Sequence, residues 1–147
     1  MARTKTSVTW DYALIQERIQ QILDDYAPLL SFQLQEELSK DQFQWPVDTV
    51  RRKPGTLSPG LVPAGLRDIV DTGRLLNSQT PPEVSSNVLT ITWTAPYSKA
   101  VLLGGYTVES SRGNYVAPGR DWITPALRQK PLLPYLVDRW NALAGRQ

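Results

Sequence analysis

The chain has 147 residues and a mass of 16.5 kDa, with 41% hydrophobic and 20% charged residues, which is enough for one domain with its own core and too apolar for wholesale disorder. It contains no cysteine and no histidine, which excludes thiolate nucleophiles, histidine general bases, Ser-His-Asp catalysis and every zinc site built on Cys or His. The net charge is only +2, but it is divided: residues 1–50 hold four bases against eight acids (−4), and residues 51–147 hold twelve bases against six acids (+6).

A chain divided in this way suits subunits that meet head to tail, although a solvated acidic helix gives the same count. The amino terminus, Met-Ala-Arg-Thr-Lys-Thr-Ser, lacks the apolar stretch of a secretory signal, and no apolar run is long enough to cross a bilayer. The expectation is a protein made and used in a cytoplasm, with no membrane partner.

Residues 1–10 are polar, basic and without periodicity, and predict a flexible arm ahead of a single α+β domain over 11–147. From Asp11 onward Leu14, Ile15, Ile19, Ile22, Leu23 and Tyr26 recur at three- and four-residue intervals, the pattern of an amphipathic helix capped by Thr9 or Asp11. Pro28 predicts a kink or restart, after which Leu29, Leu30, Leu34 and Leu38 carry the stripe to about Lys40, with Gln35, Glu36 and Glu37 on the polar side.

Residues 41–65 contain Pro46, Pro54, Pro59 and Pro63 with Gly55, Gly60 and Gly65, and predict a long loop rather than a helix. It carries Trp45 and the basic run Arg51-Arg52-Lys53, and is the first candidate for a partner-binding element. Leu66, Ile69, Val70, Leu75 and Leu76 predict a short helix between residues 64 and 77, broken near Thr72-Gly73. The alternation Val88, Thr90, Thr92, Thr94 predicts a strand ending at Pro96, with 83–85 as its partner across a Ser-Ser-Asn turn. Residues 97–103 predict a short helix stopped by Gly104-Gly105, residues 106–118 an extended arm or hairpin, and residues 122–144 a short helix, a break at Pro131 and Pro134, and a final helix. The fold class expected is α+β, with a small, mostly antiparallel sheet packed by the long first helix and the last helix.

No active site emerges from these residues. Asp24 and Asp25 are adjacent on a helix and point apart, while Asp68 and Asp71 form only a weak two-carboxylate metal site better read as a solvated pair. Gly104-Gly105 lacks the context of a phosphate-cradling loop. The chain is therefore read as non-enzymatic, with no cofactor and no metal. Loop bases beside aromatics suit an interface, and Trp and Arg anchor protein contacts. The partner-contact candidates are Trp45, Arg51, Arg52, Lys53, Tyr106, Val108, Arg112, Tyr115, Arg120 and Trp122, with Trp93 and Trp140 assigned to the core. A nucleic-acid module using the 51–53 run is the alternative of another class, although +2 is a small charge for one.

Three segments stand in order: Asp71-Thr72-Gly73-Arg74-Leu75-Leu76-Asn77-Ser78, then Ala95-Pro96-Tyr97-Ser98-Lys99-Ala100-Val101 with Gly104-Gly105-Tyr106, then Pro118-Gly119-Arg120-Asp121-Trp122-Ile123-Thr124-Pro125-Ala126-Leu127. Together they resemble the neck or tail-completion proteins of tailed bacteriophages, over residues 70–127. Asp121 departs from the resemblance, standing where many members carry Pro, and the 41–65 insert is longer than the core pattern. The resemblance implies a structural virion protein, a subunit of a ring, expected to be a hexamer. That ring joins the head-side connector to the tail tube as tail-completion or terminator protein, or sits beside it as the head-closure stopper. Its implied partners are other copies of itself, the adjacent neck ring and the tail tube, with genomic DNA passing through the lumen unread. In this reading the arm 106–118 and the loop 41–65 reach neighbours, and Glu36 and Glu37 on the acidic helix meet the basic half of the next subunit.

Overall fold

The computed structural model describes residues 10–51, 60–70, 73–109 and 113–145, with only the backbone of Arg51. The expected arm at 1–9 and the residues Arg52, Lys53, Asp71, Thr72 and Arg112 lie outside the described residues.

Helix α1 spans Tyr12–Leu38, 27 residues and about 40 Å at 1.5 Å per residue. Asp11 caps it, its Oδ1 accepting from the Leu14 backbone N–H at 3.1 Å. Pro28 lies inside the helix and no restart occurs there. A proline at such a place costs about 3 kcal/mol in a helix interior. The buried residues on either side of it, Tyr26, Ala27 and Leu30, offset that cost by packing.

Residues 41–65 are not an irregular loop. Strand β1 (Phe43–Trp45) pairs antiparallel with β4 (Gly65–Arg67), and β2 (Thr49–Arg51) pairs with β3 (Gly60–Val62), so the segment is a hairpin of two tiers. Pro46 and Pro63 stand between the tiers, where neither can donate to a ladder. Asp48 spans that level by accepting from the Ala64 backbone N–H at 2.9 Å. The helix expected between residues 64 and 77 is replaced by β4 and a 3-10 turn at Leu76–Ser78. Leu66 points to solvent while Arg67 is buried, the two-residue alternation of a strand and not a helical stripe.

The hairpin of β5 (Glu83–Ser85) and β6 (Val88–Thr90) forms as expected. Its turn has Ser86 at φ 51° and Asn87 at φ 62°, the paired left-handed conformation that matches strand twist in a two-residue loop. The expected strand beyond Thr90 is reduced to an isolated bridge between Gln79 and Trp93. Then follow α2 (Ser98–Leu103), the hairpin β7 (Thr107–Val108) with β8 (Tyr115–Val116), α3 (Ile123–Gln129) and α4 (Leu132–Ala144).

The protein is α+β, and the described residues form antiparallel pairs in four two-stranded sheets beside a long amino-terminal helix and carboxy-terminal helices. The core joins Tyr26, Leu30, Leu34 and Leu38 of α1 to Phe43, Ile69, Leu75, Ala95, Trp122 and Ala126. Tyr26 stacks at 5.2 Å against Tyr135 of α4 and donates its hydroxyl to the Lys130 carbonyl, tying α1 to the break between α3 and α4. Trp122, expected at an interface, is only 1% exposed and meets Trp93 edge to face at 5.5 Å. It is a core residue, standing just ahead of α3 and packed with Ala126 of that helix in the main cluster.

Candidate interface site

The site is built where two sequence-distant motif segments cross. Gly104 ends α2 at φ 66°, and a Cβ there would stand 2.2 Å from the Gly119 backbone nitrogen. A Cβ on Gly119 would in turn stand 2.8 Å from the Leu103 carbonyl oxygen. Only two glycines allow this main-chain contact. The crossing is stitched by Gly105 N–H to the Ala117 carbonyl (2.8 Å), Ala117 N–H to the Tyr106 carbonyl (2.8 Å) and Arg120 N–H to the Val101 carbonyl (3.0 Å). Gly105, Pro118 and the exposed Pro96 complete the turns around it, and Ser98 N–H closes onto the Ala95 carbonyl at 3.0 Å.

That crossing fixes Arg120 against the two-tiered hairpin. The Arg120 guanidinium carbon lies 3.9 Å from the Trp45 ring centroid and that of Arg67 lies 4.1 Å from it, although Arg67 is 6% exposed and Arg120 3%. One indole thus carries two buried cations no more than about 8 Å apart. Their mutual repulsion is about 2 kcal/mol at an effective dielectric near 20, and cation–π attraction of about 0.5–2 kcal/mol each works against it.

Arg67 donates to Thr49 Oγ1 at 2.6 Å and to the Val62 carbonyl at 3.5 Å. Arg120 is differently placed: among the described residues its side chain hydrogen-bonds only to the Tyr106 hydroxyl, at 3.5 Å, and its Nε has no acceptor. The Trp45 indole N–H has none either. Beside them a cavity of about 190 Å³ is lined by Trp45, Arg74, Tyr97, Tyr106 and Arg120, with Ile69, Leu75 and Val101 as its apolar wall. Arg74 lies 5.8 Å from the Tyr97 ring centroid.

Of the residues singled out in the sequence, Trp45, Tyr106 and Arg120 come together here. Val108 and Tyr115 pair across the β7–β8 hairpin and share with Trp45 and Arg67 a second cavity of about 300 Å³. Gly73 turns the chain at φ 78° and accepts from Asn77 N–H at 2.8 Å, Leu75 enters the core, and Ser78 Oγ donates to the Leu75 carbonyl at 2.7 Å. Pro125 stands in the first turn of α3, where proline is tolerated. Asp121 accepts from Ile123 N–H at 2.9 Å and Thr124 N–H at 3.0 Å, so the acid that departs from the family pattern caps α3. Arg67 and Arg74 were missed. The inward alternation of Gly65-Leu66-Arg67 was the signal for Arg67.

Glu37, expected on the polar face, is 0% exposed and cannot face a neighbour, whereas Glu36 is exposed. Its Oε1 accepts from Gln33 at 3.1 Å, Gln129 at 2.8 Å and Lys40, and its Oε2 from Gln42 at 2.9 Å. Burial pushes its pKa up, but the hydrogen bonds from Lys40, Gln42 and Gln33 and the Lys40 charge outweigh that and hold it below the usual glutamate range.

Among the described residues no three His, Cys, Asp or Glu side chains are grouped so as to hold a metal ion. Comparison of the chain with protein-family models, with curated proteins and with solved structures finds no match.

Proposed function

We propose that the chain is a structural subunit of the neck of a tailed bacteriophage virion. It forms a ring, expected to be a hexamer, at the tail-completion or terminator position between the head-side connector and the tail tube. The observation that carries this reading is the apolar surface a single copy leaves uncovered. Helix α4 has no buried residue and holds Leu133 and Val137 in solvent, and Phe32 of α1, Leu61 of β3, Leu66 of β4 and Val116 of β8 are exposed as well. Two-stranded hairpins are marginal alone, and exposed apolar side chains on them are covered when copies assemble. The order of the three motif segments over residues 70–127 supports the same reading, as does the split between an acidic first third and a basic remainder.

The test is the solution mass by light scattering across concentration and salt, followed by incubation with isolated tail tubes. A species near six times 16.5 kDa, or capping of tube ends, is the expected result. A monodisperse monomer under every condition that also leaves tube ends bare would overturn the reading.

A further inference from the structure

We propose that the cavity beside Arg120 binds a carboxylate side chain presented by a neighbouring copy of this chain. The inference deepens the ring reading and rests on it for the identity of the occupant. The site itself stands on separate ground. An arginine stays protonated at any working pH, so Arg120 is a buried full charge. Among the described residues no carboxylate pairs with it, and none lines the cavity. Buried cations are normally matched by an anion because desolvation otherwise goes uncompensated. Here the stack on Trp45 supplies part of that compensation and an arriving anion the rest.

Size and wall chemistry select the anion. About 190 Å³ is the space of roughly six waters at ~30 Å³ each, enough for the end of a glutamate or aspartate side chain. Tyr106, whose hydroxyl meets Arg120, and Tyr97 line the same space, and a tyrosine hydroxyl can donate to a carboxylate oxygen. The second copy supplies the matching charge: Glu17 and Asp24 are exposed, seven residues apart, and therefore on one face of α1.

The test uses the full chain labelled with 5-fluorotryptophan, whose five tryptophans give separate fluorine signals, that of Trp45 being assigned by Trp45→Phe. Sodium glutarate is the probe, with sodium chloride at equal ionic strength as control. The expected result is a saturable shift of the Trp45 signal alone, with the apparent affinity lowered about tenfold or more in Arg120→Gln. Unmoved Trp93 and Trp122 signals report that the variant is folded. Should Arg120→Gln not fold, Tyr97→Phe in the cavity wall is expected to weaken the response in the same direction. No saturable Trp45 response, or an equal response to inorganic phosphate, overturns the carboxylate site.

The occupant is tested separately by light scattering. Glu17→Gln with Asp24→Asn is expected to lower the oligomer mass while leaving the glutarate response intact. An unchanged oligomer overturns α1 as the source. A wild-type chain that associates neither with itself nor on tube ends overturns the ring reading and the choice of occupant, and a saturable Trp45 response would then still uphold the site.

Discussion

Glu37 and Arg120 are both buried full charges, and the chain treats them in opposite ways. Four donors converge on the Glu37 carboxylate: Gln33 and Lys40 come from its own helix and the turn after it, Gln42 from the approach to β1, and Gln129 from α3. Arg120 has one long contact to Tyr106 and an aromatic face. A fully satisfied buried charge is part of the folded chain's own construction, since removing it strands its partners. A buried charge left short of acceptors, beside open space, contributes little to the isolated chain and is available to something that arrives. The difference separates a charge matched within the fold from one that the proposed carboxylate would match.

The largest expected effect is on the satisfied side. Glu37→Ala removes the shared carboxylate from three glutamine amides and Lys40, leaving Gln33 only Gln129 and Gln42 only the residue-37 carbonyl, and should cost about 3 kcal/mol in urea unfolding. Acid should act in the same direction. The pKa values of Glu37 and Asp121 are both lowered in the folded chain, burial opposing the shift and hydrogen bonds outweighing it; for Asp121 the bonds come from Thr124 and Ile123. Their stabilisation is complete above the ordinary values of 4.5 and 3.8, and is lost as pH falls through the lowered folded values. Glu37→Gln combined with Asp121→Asn should therefore flatten the stability profile below about pH 4, which a series of urea midpoints against pH would display.

Gln129→Ala, which removes one donor and leaves the others, should cost about 1 kcal/mol. The smallest effect belongs to the other charge. Arg120→Met exchanges an unmatched cation for an apolar side chain of similar length and should change unfolding free energy by less than about 1 kcal/mol. A loss as large as that of Glu37→Ala would erase the distinction between the two sites.

Much of the fold was legible in the residues. Asp11 before the Leu14–Ile15 stripe, Ser86-Asn87 between two β-branched runs, Gly104 after α2 and Pro131 between the last helices each act through local chemistry that a short window contains. The two-tiered hairpin was not legible, because its strands are three residues long and its pairing joins residues from 9 apart (Arg51 and Gly60) to 24 apart (Phe43 and Arg67). Glu37 was misread because charge was taken to mean solvent. Yet it stands three and seven residues beyond Leu34 and Leu30 and four beyond Gln33, on the buried stripe itself. Trp45 and Arg120 could be named as candidates, but Arg67, which completes the stack, is placed by β4, an element hidden inside an apparent helix.

The glycine crossing at residues 104 and 119 gives the hairpin between them a fixed root. Because main chain meets main chain there, the two ends of the β7–β8 excursion are pinned together independently of what lies farther out. Arg120 and Tyr106 sit at that root, so the main-chain contact that closes the excursion also sets the distance between them. The pocket at the foot of the hairpin therefore owes its shape to two residues that have no side chain, Gly104 and Gly119.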